Sequence, residues 1–444
     1  MSQRPNIIWV FGDQHRAQAL SIAGDPNVST PNLDRMAIEG QYFPRAAANN
    51  PWCCPFRWMA MTGRYSHHGV CKTPMAMKPE DRTVAHELGD VGYRTHYVGK
   101  WHLGGSNQSI AVPPELRGGF ETFIGYENNN NQYHCPVHGH DENGEREEEL
   151  LKGYETDALT DIFIDRLKKE AASGDDTPFF AALSVQPPHN PYVAPAEEMA
   201  RHRPANIKLR PNVPPIPRIE EEARNNLAGY YAQIENLDAN LGRVVAALEE
   251  TGLLHNTYIF FFSDHGDCHG SHGHIHKSSP WEESIRIPFF IGGGLPHIGF
   301  DSGPKPHQIS AVDIAPTTLG LAGVEAPEIM QGYDYSPLRR GEKLHEAPDS
   351  VFCQQVVRKR HAGGIDQEWR TVSTNDGWKY TCIPGAPHSM FNLNEDPYEM
   401  NNLILMANYN ADRKRLHERL KKWIQDTGDE FDLYEPWVKV QKST

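Results

Sequence analysis

Residues 227–265, LAGYYAQIENLDANLGRVVAALEETGLLHNTYIFFFSDH, hold a complete structural unit and decide the class of the fold. Leu227, Tyr230, Tyr231, Ile234, Leu237, Leu241, Val244, Val245 and Leu248 recur at steps of three and four, the pattern of a helix that buries one stripe. Residues 257–262 then read TYIFFF, apolar on both faces, as a central parallel strand must be when helices cover both sides of its sheet. The same reading extends outward. Residues 7–11 are a strand candidate, 83–91 a short helix before a strand at 95–98, and 157–172 a helix before a strand at 179–185. The alternation predicts an α/β fold with a large, mainly parallel sheet sandwiched by helices. It stops near Gly341, after which strand-like stretches at 351–357, 369–373 and 378–382, a turn-rich 391–403 and a helix at 411–426 predict a smaller α+β subdomain. The expected division is a large catalytic domain over 1–340 and a C-terminal subdomain, with a small antiparallel sheet and a terminal helix, over 341–444.

Two regions break the rhythm. Residues 126–149, rich in Asn and His and ending in an acidic run, read as a surface loop, with a substrate-facing loop as the alternative. Residues 201–220 carry prolines at 204, 211, 214, 215 and 217 and read as an extended connector.

The 444 residues suit two or three domains, or one large domain with an appendage. A net charge of −15 argues against a coat for nucleic acid or for an anionic membrane, so any anionic substrate must meet a local cationic pocket. No apolar run reaches the length of a membrane span. Seven scattered cysteines (53, 54, 71, 135, 268, 353 and 382) do not resemble a disulfide framework. With no leader pattern at the start of the given chain, the expected compartment is the cytoplasm, or the periplasm if a leader has been removed.

The chemistry concentrates at strand ends. Asp13 and Gln14 follow the first strand, Lys100 and His102 the next, His189 the one after, and Asp264 and His265 the strand at 257–262. In open α/β sheets ligands gather beyond the carboxyl ends of the strands, so the Asp-Gln and Asp-His pairs can converge on one divalent cation. In NPWCCPFRWMAMTGRY, residues 50–65, Pro55 suits the first turn of a helix and sets Cys53 at its N-terminus, where free amides favour an anion. Lys100, Lys277, Arg57, His102 and His189 around a metal would make a pocket for a tetrahedral oxyanion. Cys135, His138 and His140 resemble a metal half-site without a fourth ligand. His269, His272, His274 and His276 crowd towards Lys277, one or two of them expected at the substrate pocket and the rest in the scaffold.

Taken together, PNIIWVFGDQ (5–14), TPNLDRMAIEG (30–40), CCPFRWMAMTGR (53–64), VGKWHLG (98–104), PPHNPY (187–192), SDHGDCHGSHGHIHKSSPWEESIRIP (263–288), VDIAPTTLGLAG (312–323) and FNLNEDPYEMNNL (391–403) resemble the type I sulfatases of the alkaline-phosphatase-like superfamily. The resemblance implies hydrolysis of a sulfate monoester of a small sulfated sugar or an aryl or alkyl alcohol. It implies that Cys53 is converted to formylglycine by a formylglycine-generating enzyme and that one divalent metal is bound. Asp13, Gln14, Asp264, His265 and residue 53 would hold the metal. Arg57 would support the hydrated aldehyde, Lys100 and Lys277 the sulfuryl oxygens, His189 would protonate the leaving alcohol and His102 would deprotonate the hydrate to release sulfate. Phe56 stands where the signature usually carries serine, and the Asp-Gln and Asp-His pairs stand where many members show Asp-Asp and Asp-Asn. Calcium is the expected metal, and the imidazole moves the balance towards Mn²⁺ or Mg²⁺. Phosphonate monoester and phosphodiester hydrolases of the superfamily use similar residues and form the alternative, a non-catalytic anion or glycan binder a more distant one. A homo-oligomer is compatible with the sequence.

Overall fold

The computed structural model describes residues 4–294, 301–358 and 365–434. The segment NIIWVFG becomes β1 (Asn6–Gly12) at the centre of a ten-stranded sheet. The other strands of this sheet are β2 (Gln41–Tyr42), β3 (Arg94–Lys100), β4 (Thr122–Tyr126), β5 (Cys135–Asp141), β6 (Gly144–Leu151), β7 (Phe179–Ser184), β8 (Thr257–Ser263), β9 (Phe289–Gly293) and β10 (Gly303–Pro304). Their order is β10-β2-β9-β8-β1-β7-β3-β4-β5-β6. The middle five, β8 to β4, are all parallel, and antiparallel pairings appear only outside them. The carboxyl ends of β8, β1, β7 and β3 therefore lie side by side along one edge.

Period-two alternation explains why β1 is apolar throughout. Ile7, Trp9 and Phe11 face one core with Phe56, Trp58, Leu88 and Leu319, while Ile8 and Val10 face another with Phe163, Leu167, Leu241 and Leu248. The first core lies under the helices Cys53–Thr62, Val84–Asp90 and Ile314–Leu321, the second under Glu155–Ala172 and Pro217–Glu250. Trp9 fixes the register of the first face. Its ring meets Phe180 edge-on at 5.0 Å and Phe262 at 5.6 Å, and its Nε1 donates to Thr318 Oγ1 at 3.1 Å.

Two local readings are corrected. The connector ends at residue 216, because Pro217 opens the 34-residue helix Pro217–Glu250, and a short helix, Ala196–Arg201, enters the stretch from its other end. A proline at the first helical position loses only an N–H that no helix satisfies. Residues 127–134 are the expected loop, but 135–149 are not: β5 and β6 form a hairpin whose acidic strand is the exposed sheet edge, where charge discourages pairing with another chain. The half-site within it does not assemble among the described residues. His140 Nδ1 accepts from Arg117 at 2.8 Å, its Nε2 donates to the Phe120 carbonyl at 3.2 Å, and Cys135 is buried in the core.

Four antiparallel strands follow: β11 (Ser350–Gln355), β12 (Trp369–Thr374), β13 (Trp378–Ile383) and β14 (Ala386–Asn392). The helix Asn410–Thr427 packs on them through Leu416 and Leu420. Phe352, Val372, Tyr380 and Leu416 belong to the same apolar cluster as Trp9 and Phe262, so the two sheets share a core. An ion network reinforces the join. Buried Lys379 Nζ lies 2.9 Å from Glu282 Oε1 and 2.8 Å from Glu399 Oε1, and Glu399 also accepts from the Glu282 backbone N–H at 2.8 Å. The two carboxylates raise the Lys379 pKa although burial opposes it. Lys379→Met removes the cation shared by the two buried carboxylates and leaves Arg286, 3.8 Å from Glu282 Oε2, beside them, and an isothermal urea titration should show a loss of about 3–5 kcal/mol. A midpoint equal to that of the parent would remove this network from the stability of the protein.

Candidate active site

Four strand ends and one helix start meet at the carboxyl edge of the sheet. The helix Cys53–Thr62 begins with Cys53 and places the Pro55 ring in its first turn, where the missing N–H leaves no bond unmade. Cys53 Sγ lies 3.2 Å from His265 Nε2 and 3.8 Å from Asp13 Oδ1. His265 Nε2 is 3.5 Å from Asp13 Oδ1 and 3.6 Å from Asp264 Oδ1. Ligand atoms of Asp13, Cys53, Asp264 and His265 all fall within 4.8 Å of one another, and the four residues are buried. His265 Nδ1 faces the Gly266 carbonyl at 3.0 Å and so must carry a proton. Its Nε2 lone pair is thereby turned into the cluster, the arrangement a metal-ligating histidine needs.

Positive side chains close round this group. Arg57 reaches Asp264 Oδ2 at 3.3 Å and Asp13 Oδ2 at 3.5 Å, and donates to the Lys100 carbonyl and to Ser184 Oγ, both at 2.9 Å. Lys100 Nζ lies 2.5 Å from Asp13 Oδ2. Lys277 Nζ lies 2.5 Å from Gln14 Oε1 and 3.0 Å from His189 Nε2. His189 Nδ1 meets the Asn190 carbonyl at 2.7 Å, so Nδ1 donates and Nε2 accepts from the ammonium. His102 is buried, with Nε2 2.8 Å from Asn107 Oδ1 and Nδ1 without a hydrogen-bond partner.

The electrostatics follow from this crowding. Burial alone would raise Asp13, yet Lys100, His189, His265 and Arg57 hold it well below the usual carboxylate range. Asp264 is pushed up to about 6, first by burial and then by the negative charge of Asp13. Burial would depress His265, but Asp264 and Cys53 raise it. Burial and Asp13 would raise the Cys53 thiol, but Lys277, Lys100 and His265 bring it down to about 6. Burial, then Lys277, depresses His189 far below its ordinary value, keeping it neutral. Two buried carboxylates beside an imidazole lone pair and a low-pKa sulfur form a set of donors that a divalent cation fits, since it would offset their mutual repulsion.

Residues 5–324 match the Sulfatase family, and residues 270–426 match the C-terminal region of N-sulphoglucosamine sulphohydrolase. The chain belongs to the sulfatase family. The ulvan-active sulfatase of Formosa agariphila is 32% identical over 98% of this chain and 84% of its own length. An N-acetylglucosamine-6-O-sulfatase of Bacteroides thetaiotaomicron is 27% identical over 95% of this chain and 86% of its own. Among solved structures, the Bacteroides fragilis protein called sulfatase yidJ superposes with a TM-score of 0.84 at 26% identity, covering 97% of this chain and 98% of that one. This sulfatase is a sulfuric ester hydrolase, and its family implies a divalent metal and a formylglycine derived from cysteine.

Of the residues expected at the site, Asp13, Cys53, Asp264 and His265 form the compact group, with Arg57 and Lys100 bonded to it and Lys277 bonded to His189. Gln14, expected on the metal, donates from Nε2 to Asp267 Oδ2 at 2.6 Å and accepts at Oε1 from Lys277, with one lone pair of that oxygen left for a cation. His102 makes its bond to Asn107, outside the four-residue group. The histidine-rich stretch divides. His269 packs 4.3 Å from the Tyr230 ring and 5.1 Å from Tyr192, and His272 stacks on Trp281 at 4.0 Å. Sequence reasoning missed Asp267, Ser184 and Tyr192. Asp267 had a signal, a second carboxylate three residues beyond Asp264 in SDHGD, while Ser184 lay near the end of the strand read at 179–185 and Tyr192 closed the PPHNPY motif without either being singled out.

Proposed function

We propose that this sulfatase removes a sulfate ester from a saccharide, using residue 53 as formylglycine and one metal held by Asp13, Gln14, Asp264, His265 and residue 53. The observation that carries the reading is the pair of lysines, Lys100 on Asp13 and Lys277 on Gln14, whose charges both act on Cys53 within the buried Asp13–Cys53–Asp264–His265 group. The saccharide is supported by the N-acetylglucosamine-6-O-sulfatase among the relatives. Calcium is the proposed metal, with Mn²⁺ and Mg²⁺ as competitors because His265 adds a softer ligand. Seven free cysteines support a reducing compartment, the cytoplasm.

When both groups are in place they supply a hydrated-aldehyde nucleophile and a Lewis acid for the sulfuryl oxygens. The rest belongs to side chains of this protein. Lys100 and Lys277 set positive charge where the sulfuryl oxygens gain negative charge, in a buried site where such charge acts strongly. Arg57 holds the Asp13 and Asp264 carboxylates in one orientation. The proton shared by Lys277 Nζ and His189 Nε2 goes to the leaving oxygen, so the products are the free alcohol and inorganic sulfate. His102, its Nε2 held by Asn107, accepts a proton at Nδ1.

The test is kcat/KM for an aryl sulfate against an aryl phosphonate monoester, on metal-loaded protein produced with a formylglycine-generating enzyme. The sulfate is expected to lead by at least about tenfold, a difference of about 1.4 kcal/mol in transition-state stabilisation. Preference for the phosphonate would overturn the assignment of the ester. The metal bound to purified protein, identified by elemental analysis, tests calcium separately.

A further inference from the structure

We propose that Asn130 is a specificity residue that reads the saccharide, its side-chain NH₂ donating to a hydroxyl beside the scissile sulfate. The inference rests on the saccharide reading of the substrate and on His189 as the group that serves the leaving oxygen. After β4 ends at Tyr126, residues 127–132 run between the two histidines of the proposed mechanism. At one end Asn128 Nδ2 donates to the Asn107 carbonyl at 3.2 Å, and Asn107 Oδ1 lies 2.8 Å from His102 Nε2. At the other, Gln132 Nε2 donates to the Pro191 carbonyl at 3.1 Å and to the His189 carbonyl at 3.4 Å. Between these anchors Asn128, Asn129 and Gln132 are buried, whereas Asn130 is exposed. Its side chain is nevertheless held. Asn130 Oδ1 accepts from Gln186 Nε2 at 3.2 Å, and the Gln186 carbonyl accepts the His189 backbone N–H at 3.1 Å. Asn130 is thus tied to the turn that carries His189.

The amide keeps capacity that the protein does not use. With Oδ1 engaged, the two N–H donors of Asn130 Nδ2 have no partner among the described residues. Gln186 is fully buried, and its Oε1 has no hydrogen-bond partner. A buried oxygen left unbonded costs stability, and the gain set against that cost is a fixed direction for the Asn130 NH₂. The oxygen that receives a proton from His189 stays with the sugar, and a neighbouring ring carbon carries a hydroxyl whose lone pairs suit a neutral donor. An aryl sulfate has no such hydroxyl, so Asn130 distinguishes the two classes of substrate without adding charge to a site that already holds two lysines.

The experiment uses metal-loaded protein produced with a formylglycine-generating enzyme. Values of kcat/KM are measured for 4-nitrophenyl sulfate and for the monosulfates of methyl galactoside and methyl N-acetylglucosaminide, and the fastest sugar is also made without the hydroxyl nearest its sulfate. Asn130→Ala and Asn130→Leu are each expected to lower the ratio of sugar to aryl kcat/KM about tenfold, the effect of losing one hydrogen bond to the substrate. The deoxy sugar should cost the parent a similar factor and the variants nothing further, since either change removes the same bond. Because the side chain is exposed, the melting temperature should stay parental. Equal losses on the sugar and the aryl ester would make Asn130 a support for the His189 turn and overturn the proposal. Losses from the variant and the deoxy sugar that multiply would also overturn it, as would a parental ratio in both variants, and in each case the saccharide reading stands. A parent that cleaves the aryl ester and none of the sugars overturns that reading and this inference with it.

Discussion

Cys53→Ser is expected to lower steady-state turnover by at least about 10⁴-fold while leaving the fold intact, as the loss of a nucleophile does in other covalent hydrolases. The substitution is nearly isosteric at a residue that is 3% exposed and starts the helix Cys53–Thr62, so packing and helix geometry should persist. What disappears is the route to the aldehyde. A serine offers one hydroxyl where a hydrate offers two, and the second hydroxyl is what frees sulfate without help from outside water. Rapid mixing with an aryl sulfate should then release at most about one equivalent of the phenol per enzyme before the reaction stalls. Sustained turnover by the serine variant would show that the two-hydroxyl scheme is wrong for this protein.

Arg57→Met should produce the largest change in the metal-free state. Arg57 is 2% exposed and is shared between Asp13 and Asp264, both fully buried, and it also donates to the Lys100 carbonyl and Ser184 Oγ. Removing it leaves Lys100 on Asp13 and no arginine on Asp264, which is already pushed up to about 6 by burial and by Asp13. Breaking a buried pair of this kind costs about 3–5 kcal/mol. Urea titration of chelator-treated protein should show that loss. A divalent cation binds only the folded state and supplies charge at the same carboxylates, so the gap between metal-free and metal-loaded stability should be wider in the variant than in the parent. Equal stabilities of parent and variant without metal would mean that Arg57 is not what balances the two carboxylates.

The contrast between Asp264 and Asp267 shows how far local sequence reaches. Asp264 could be placed because it directly follows a strand apolar on both faces, and such a strand in a parallel sheet delivers its next residues to the ligand edge. Asp267 lies three residues further on, in an irregular turn whose path no periodicity describes, and its partners Gln14 and Tyr192 are 253 and 75 residues away in the chain. Cys53 was placeable for a local reason, since Pro55 marks a helix start. The acidic hairpin and Pro217 were misread for opposite reasons. Charge on β6 describes an exposed sheet edge as well as a loop, and a proline that ends one element can begin another.

The sequence by itself determined the α/β class, the central parallel strands, the helix N-terminus at Cys53 and the strand-end positions of Asp13, Lys100, His189 and Asp264. Each of these rests on the period of apolar residues or on backbone rules that act over a few residues. Only the tertiary structure decided which way the Gln14 amide faces, that His265 carries its proton on Nδ1, that Arg57 is shared between two carboxylates and that Asp267 joins Gln14 to the loop before Lys277. A hydrogen bond is directional and joins residues that the chain keeps far apart, so its geometry exists only once the strand order β8-β1-β7-β3 has brought their ends together.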